Sequence, residues 1–136
     1  MQELRMRKNN IKPDMTTHIY KNKAVYNGEW VGGFRHGFGR IEWSDSACYE
    51  GKWDCGYAQG DAGIFIDCQG NRYEGDFMMS MAHGIGSYIN TQGAIYEGEW
   101  KFDRQHGKGT ERWPSSNSTF EGIFADGLRN GEGEWL

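Results

Sequence analysis

The 136 residues are enough for one domain, but the composition excludes an ordinary aliphatic core: there are six Trp, seven Tyr, seven Phe and 21 Gly, while Leu occurs only at Leu4, Leu128 and Leu136. The formal net charge of −4 conceals a basic start, with Arg5, Arg7, Lys8, Lys12, Lys21 and Lys23 against Glu3 and Asp14, followed by nine basic against seventeen acidic residues in 26–136. An acidic body argues against tracking a nucleic-acid backbone, which needs a positive groove. No apolar run approaches the ~20 residues of a membrane-spanning helix, and the basic N-terminus lacks the apolar segment of a secretory signal. Cys48, Cys55 and Cys68 are odd in number with no CxxC pair, the pattern of free, buried or half-buried thiols in a reducing compartment. These features predict a soluble, cytoplasmic protein without a cofactor.

Residues 1–18 are polar and basic, with Pro13 interrupting any helix. They read as a tail, either simply mobile or an arm that docks on a partner, with Arg5, Arg7, Lys8 and Lys12 as its candidate lipid or partner contacts. Order is expected from residue 19, where Ile19-Tyr20 and Ala24-Val25 look strand-like.

From Tyr26 onward one pattern repeats: Tyr26-Asn-Gly-Glu-Trp30, Tyr49-Glu-Gly-Lys-Trp53, Tyr73-Glu-Gly-Asp-Phe77, Tyr96-Glu-Gly-Glu-Trp100 and Phe120-Glu-Gly-Ile-Phe124. The first rings are 23, 24, 23 and 24 residues apart, the signature of a repeat array. A second block follows each at a fixed offset: His36-Gly-Phe-Gly39, Gln59-Gly-Asp-Ala62, His83-Gly-Ile-Gly86, His106-Gly-Lys-Gly109 and Asn130-Gly-Glu-Gly133. Within the first block, alternate residues share a strand face. One face reads ring, glycine, ring; the other is charged and predicted to lie in water. Gly28, Gly51, Gly75, Gly98 and Gly122 leave gaps that neighbouring rings can cover.

Each unit then turns, with Gly33, Gly56 and Gly127 at a position suited to positive φ and Ser80 and Asp103 replacing that glycine. A second strand runs through the Gly-x-Gly pairs (Gly37 and Gly39, Gly84 and Gly86, Gly107 and Gly109, Gly131 and Gly133, with Gly60 leading the altered second copy) to a polar turn. Each repeat is thus one β-hairpin, predicted to pair edge to edge with the next. Repeat two is one residue longer at Gly60-Asp-Ala-Gly63, a β-bulge candidate. Repeat four carries its extra residue in the Pro114–Thr119 turn. Met78, Met79 and Met81 cluster in the third turn, as gap filling or as an adaptable contact surface. The chain stops at Leu136 inside a repeat, so it is a piece of something longer or its last edge, a pairing template, is covered by a partner.

The register of Tyr-x-Gly-x-Trp with His-Gly-x-Gly over residues 26–136 resembles the MORN repeat (membrane occupation and recognition nexus). The departures are Phe77, Ser80, Asp103, Ala62 and Phe120. The resemblance implies an all-β fold: an elongated, single-layer, twisted antiparallel sheet of consecutive hairpins with an aromatic-lined groove, the array occupying 19–136 with its last unit truncated. It also implies a non-catalytic role, either scaffolding of proteins in cytoskeletal, ciliary or radial-spoke assemblies, often with self-association, or contact with acidic phospholipids.

His36, His83 and His106 are the nearest thing to a catalytic or metal-binding set. Yet they recur once per unit, and two strands at ~4.8 Å spacing keep successive copies ~10 Å apart, far beyond a shared metal with ligands at ~2.0–2.1 Å. The expectation is neither catalysis nor a metal site. Anionic lipid should be repelled by the acidic strand face, leaving only the basic tail to bind it. Protein partners are favoured: a ladder of Tyr26, Trp30, Tyr49, Trp53, Tyr73, Phe77, Tyr96, Trp100, Phe120 and Phe124 cannot all be covered by one sheet layer, and an open apolar patch marks a partner site. A helix laid in that groove or a strand added at a sheet edge would suit it, the edges also serving self-association. Most of the rings are nevertheless expected to stack on one another.

Overall fold

A computed structural model describes residues 16–136. The tail residues Arg5, Arg7, Lys8 and Lys12 lie outside the described residues. Twelve strands follow in chain order: β1 (Thr16–Ile19), β2 (Val25–Val31), β3 (Phe34–Glu42), β4 (Cys48–Asp54), β5 (Tyr57–Ala58), β6 (Gly60–Ile66), β7 (Arg72–Met78), β8 (Met81–Ile89), β9 (Ile95–Lys101), β10 (Arg104–Trp113), β11 (Ser118–Ala125) and β12 (Leu128–Trp135). They form one antiparallel sheet in sequence order, with the short β5 pairing β4 beside β6. β1 extends the sheet into the segment expected to be tail: Thr16 pairs with Gly28 and Ile19 with Val25, because three of its four residues, Thr16, Thr17 and Ile19, are β-branched and suit a strand.

The glycines form a row across the sheet. Gly28 faces Gly39, which faces Gly51; Gly75 pairs with Gly63 and Gly86, and Gly98 with Gly86 and Gly109. Gly122 continues the row between Gly109 and Gly133. The first ring of each repeat lies back over this row, so a side chain has no room there. A Cβ on Gly39 would sit 2.1 Å from the Tyr26 hydroxyl oxygen, and one on Gly86 would sit 2.3 Å from that of Tyr73. Each tyrosine then donates its hydroxyl to a carbonyl three residues on: Tyr26 to Glu29, Tyr49 to Lys52, Tyr73 to Asp76 and Tyr96 to Glu99, at 2.7–2.9 Å.

Rings from neighbouring repeats interlock edge to face. Tyr26 meets Trp30 and Trp53, Tyr49 meets Trp53 and Phe77, Tyr73 meets Phe77 and Trp100, and Tyr96 meets Trp100 and Phe124, with centroids 4.9–5.5 Å apart. This zigzag is the core. It explains how a chain almost free of leucine buries enough surface to fold, since each such pair adds ~0.5–1.5 kcal/mol to the apolar burial.

Bulges occur in every repeat rather than in the second alone. Between Gly28 and Trp30 one residue intervenes on β2, while three separate their partners Gly39 and Arg35 on β3. The outer-face acids hold these loops: Glu29 accepts from the Phe38 amide (2.6 Å), Asp76 from Ile85 (2.9 Å) and Glu99 from Lys108 (2.6 Å). The expectation that this charged face lies in water is therefore incomplete for these three acids. In repeat two Lys52 stands at that position and pairs with Asp61 instead, Ala62 takes φ 57°, and the longer loop splits the second strand into β5 and β6.

Candidate functional site

The sheet presents two unlike faces. On the ring face, eight of the ten predicted groove residues are buried: Tyr26, Tyr49, Trp53, Tyr73, Phe77, Tyr96, Phe120 and Phe124. They are core, and the reason is the zigzag described above. Trp30 and Trp100 are only partly buried. Burial raises the hydroxyl pKa of Tyr26, Tyr49 and Tyr73 far above the ordinary 10.0 and that of Tyr96 to about 12.

The residue opposite the second ring of each repeat differs along the face. Trp30 pairs with Arg35, Trp53 with Ala58, Phe77 with Ala82, Trp100 with Gln105 and Phe124 with Arg129. At the two ends the guanidinium groups cover rings. Arg35 lies 4.6 Å from the Trp53 ring centroid and 5.6 Å from Tyr20, and donates to the Gly56 carbonyl at 2.8 Å. Arg129 lies 4.8 Å from Trp135, 5.0 Å from Trp113 and 5.1 Å from Phe120, tied to Glu111 at 2.9 Å. In the middle, Ala58 and Ala82 bring no such side chain. Repeat three combines Ala82 with Phe77, the smaller ring where repeats one, two and four have Trp.

An open concavity of about 530 Å³ results, floored by Phe65, Tyr73, Phe77, Tyr88 and Trp100, with Asp103, Arg104 and Gln105 at its edge. Phe65 and Tyr88 were not singled out by the sequence reading. Their signal was present: they stand two residues after the second glycine of a repeat, where Ile41, Glu111 and Trp135 stand in the others. Trp100 itself is fixed by its indole N–H, which donates to the Gly86 carbonyl at 3.1 Å, as Trp53 donates to Gly39 at 3.0 Å. Trp100 is thus held by the repeat before it, and Tyr88 meets Trp100 across the same junction.

The histidines do not converge. His36 sits 3.5 Å from Asp54, and His83 accepts the Phe102 amide at 3.3 Å, each joining its own repeat to the next turn. Among the described residues no three or more His, Cys, Asp and Glu side chains are placed to hold a metal ion. Cys48 is buried but Cys55 and Cys68 are exposed on turns, so the expectation of covered thiols fails for two of three; all are free.

The outer face is ionic. Arg40 pairs with Glu42, Arg72 with Glu74 and Arg112 with Glu97 at 2.9–3.2 Å.

The MORN repeat model matches residues 26–48, 73–94, 96–118 and 120–136. The chain belongs to the MORN-repeat family. A comparison with curated proteins returns no match. Residues 49–72, outside the matched stretches, hold the repeat in which Lys52 replaces the bulge-capping acid and one residue is inserted. The structure shows that this MORN unit keeps the fold regardless. MORN repeats are interaction modules for proteins or membranes and are generally non-catalytic.

Proposed function

We propose that this MORN array is a non-catalytic scaffold whose ring face binds an apolar segment of a protein partner at the third and fourth repeats. The observation that carries this reading is the open concavity over Phe65, Tyr88 and Trp100, in the middle of a face whose rings Arg35 and Arg129 cover at the ends. Half-buried Tyr and Trp rings are among the residues richest in binding hot spots. Arg104 and Asp103 at the edge would orient an amphipathic helix by charge while its apolar side fills the centre. The outer face, with Glu50, Glu74, Glu97 and Glu121 in successive repeats, would be repelled by an anionic bilayer, which favours a protein over a lipid. A cytoskeletal or ciliary assembly, in the cytoplasm, is the setting we infer from the family's occurrence in such scaffolds, an argument by analogy.

The test is affinity capture with the whole chain and with Ala82→Arg, which restores the side chain the array itself uses at Arg35 and Arg129. Proteins retained by the wild type and lost by an Ala82→Arg variant of unchanged thermal stability would support the site. Equal capture by both would remove it.

A further inference from the structure

Arg129 sits in a nest of rings. Its guanidinium lies over Phe120, Trp113 and Trp135, and its Nε donates to Glu111 at 2.9 Å. Strand register sets these neighbours: Arg129 faces Phe124, Glu111 and Trp135 flank Phe120, and Trp113 faces Ser118. The same register in the third repeat puts Ala82 opposite Phe77, with Phe65 and Tyr88 on either side of Tyr73. Tyr73 and Tyr88 therefore stand where Phe120 and Trp135 hold Arg129. The other two places keep one ring and one carboxylate, with their order exchanged. Phe65 takes the place of Glu111, and Asp67, two residues on, takes that of Trp113.

Arg35 shows what forms the remaining wall. It lies over Trp53, the second ring of the following repeat, and donates to the carbonyl of Gly56 at the following tip. From Ala82 the corresponding ring is Trp100 and the corresponding tip residue is Asp103. The Asp103 amide donates to the Ala82 carbonyl just as the Gly56 amide donates to that of Arg35. Trp53, under its arginine, is 5% exposed, whereas Trp100 is only partly buried.

We propose that the concavity is an arginine nest without its arginine, and that the bound protein segment supplies a guanidinium group over Tyr73, Tyr88 and Trp100. The inference rests on the reading of this concavity as the partner site and names the side chain that enters it. Aromatic faces attract cations, Trp most strongly, and the array already stacks guanidinium groups in this way at Arg35 and Arg129. Charge agrees. Burial alone would raise the Asp67 carboxyl, but hydrogen bonds from Asn71, Gln69 and Gly70 hold it below the usual carboxylate range, so it is ionised. Burial, and then the Asp67 charge, push the Tyr88 hydroxyl up, which puts that carboxylate within electrostatic reach of the nest. Of the two charged residues lining the concavity, Asp103 attracts a guanidinium and Arg104, exposed to solvent, opposes it. Asp67 therefore tips the balance towards a cation.

Proton–nitrogen NMR of the whole chain, read at the indole signal of Trp100, tests this with three capped amino acids. N-acetyl-arginine amide should move the signal and saturate, while its neutral isostere N-acetyl-citrulline amide should bind at least about fivefold more weakly. Asp67→Asn should weaken the arginine amide and leave the citrulline amide unchanged. The array itself uses Asn90 at that turn position, where its Oδ1 accepts the amides of Gln92 and Ala94, so the fold accommodates the change. Ala82→Arg, which fills the nest from within, should abolish the shift. Citrulline binding equal to arginine, no shift with arginine, or an arginine shift indifferent to either variant would overturn the inference. A shift with N-acetyl-leucine amide where the arginine amide gives none would overturn it and leave the partner site on the ring face standing. Equal capture of proteins by the wild type and Ala82→Arg would remove the partner site, and the inference with it.

Discussion

Gly86 and Tyr73 show at the smallest scale why this sequence tolerates so little change along its glycine row. The tyrosine ring lies where a Cβ on Gly86 would project, 2.3 Å from the hydroxyl oxygen and 2.5 Å from ring carbons. Gly86→Ala therefore forces the ring off its seat and should cost ~1–3 kcal/mol, the range for overpacked cores, read as a lower midpoint in urea unfolding. The hydroxyl has its own role. Tyr96→Phe removes the bond to the Glu99 carbonyl (2.7 Å) and is expected to cost ~1 kcal/mol. The array already uses this change once: Phe120 occupies the same position without a hydroxyl. The ring, glycine, ring alternation was readable from spacing alone, since side chains alternate on any strand. The glycines' true reason, a ring folded back over its own strand and the next, needed three-dimensional proximity and was legible only as a gap to be covered.

At the scale of the hairpin, the substitutions that interrupt the repeat consensus are compensated locally. Gly56 and Gly127 donate their amides to the carbonyls of Arg35 and Gln105 in the preceding repeat; Ser80 and Asp103 do the same to Ala58 and Ala82. Ser80 and Asp103 add a side-chain acceptor for those alanine amides, at 3.0 and 2.7 Å. That second bond offsets their positive φ of 65° and 68°. Asp103→Ala should therefore lose the bond and keep the strain, destabilising the array by ~1–3 kcal/mol. Asp103→Gly should lose less, because the glycine relieves the backbone; comparing the two thermal midpoints checks the claim. The sequence marked these positions as departures without showing what replaced the glycine, because the partner amides lie 21–22 residues upstream. The outer-face acids are a similar case. Glu29, Asp76 and Glu99 look like solvated charges in one dimension and are caps of the bulge in three.

Over the whole molecule the buried tyrosines couple stability to pH. Burial holds the hydroxyls of Tyr26, Tyr49, Tyr73 and Tyr96 neutral, with pKa values above the ordinary 10.0 and near 12 for Tyr96. A group whose folded pKa is raised binds its proton more tightly when folded. Its contribution is whole below pH 10 and is lost as pH climbs through the folded value. Stability should thus fall from about pH 10 upward, through about 12 for Tyr96 and beyond it for Tyr26, Tyr49 and Tyr73, with tyrosinate absorbance and loss of circular dichroism rising together. Tyrosinate forming well before any unfolding would contradict the burial that makes these rings the core. Fold class, repeat register and the interlocking of rings were all accessible from the sequence. The place of the exposed ring surface was not, because it depends on which side chains lie over the rings in three dimensions: Arg35 and Arg129 cover rings at the ends, while Phe65, Tyr88 and Trp100 line an open concavity.

That opening carries the functional account, and one comparison tests it most directly. An isolated partner segment, once captured, is titrated against the wild-type chain and against Ala82→Arg by calorimetry, with both proteins shown to melt alike. The account predicts at least a tenfold loss of affinity in the variant, through a guanidinium seated over Phe65 and Tyr88. Unchanged affinity would contradict it and move binding away from the ring face.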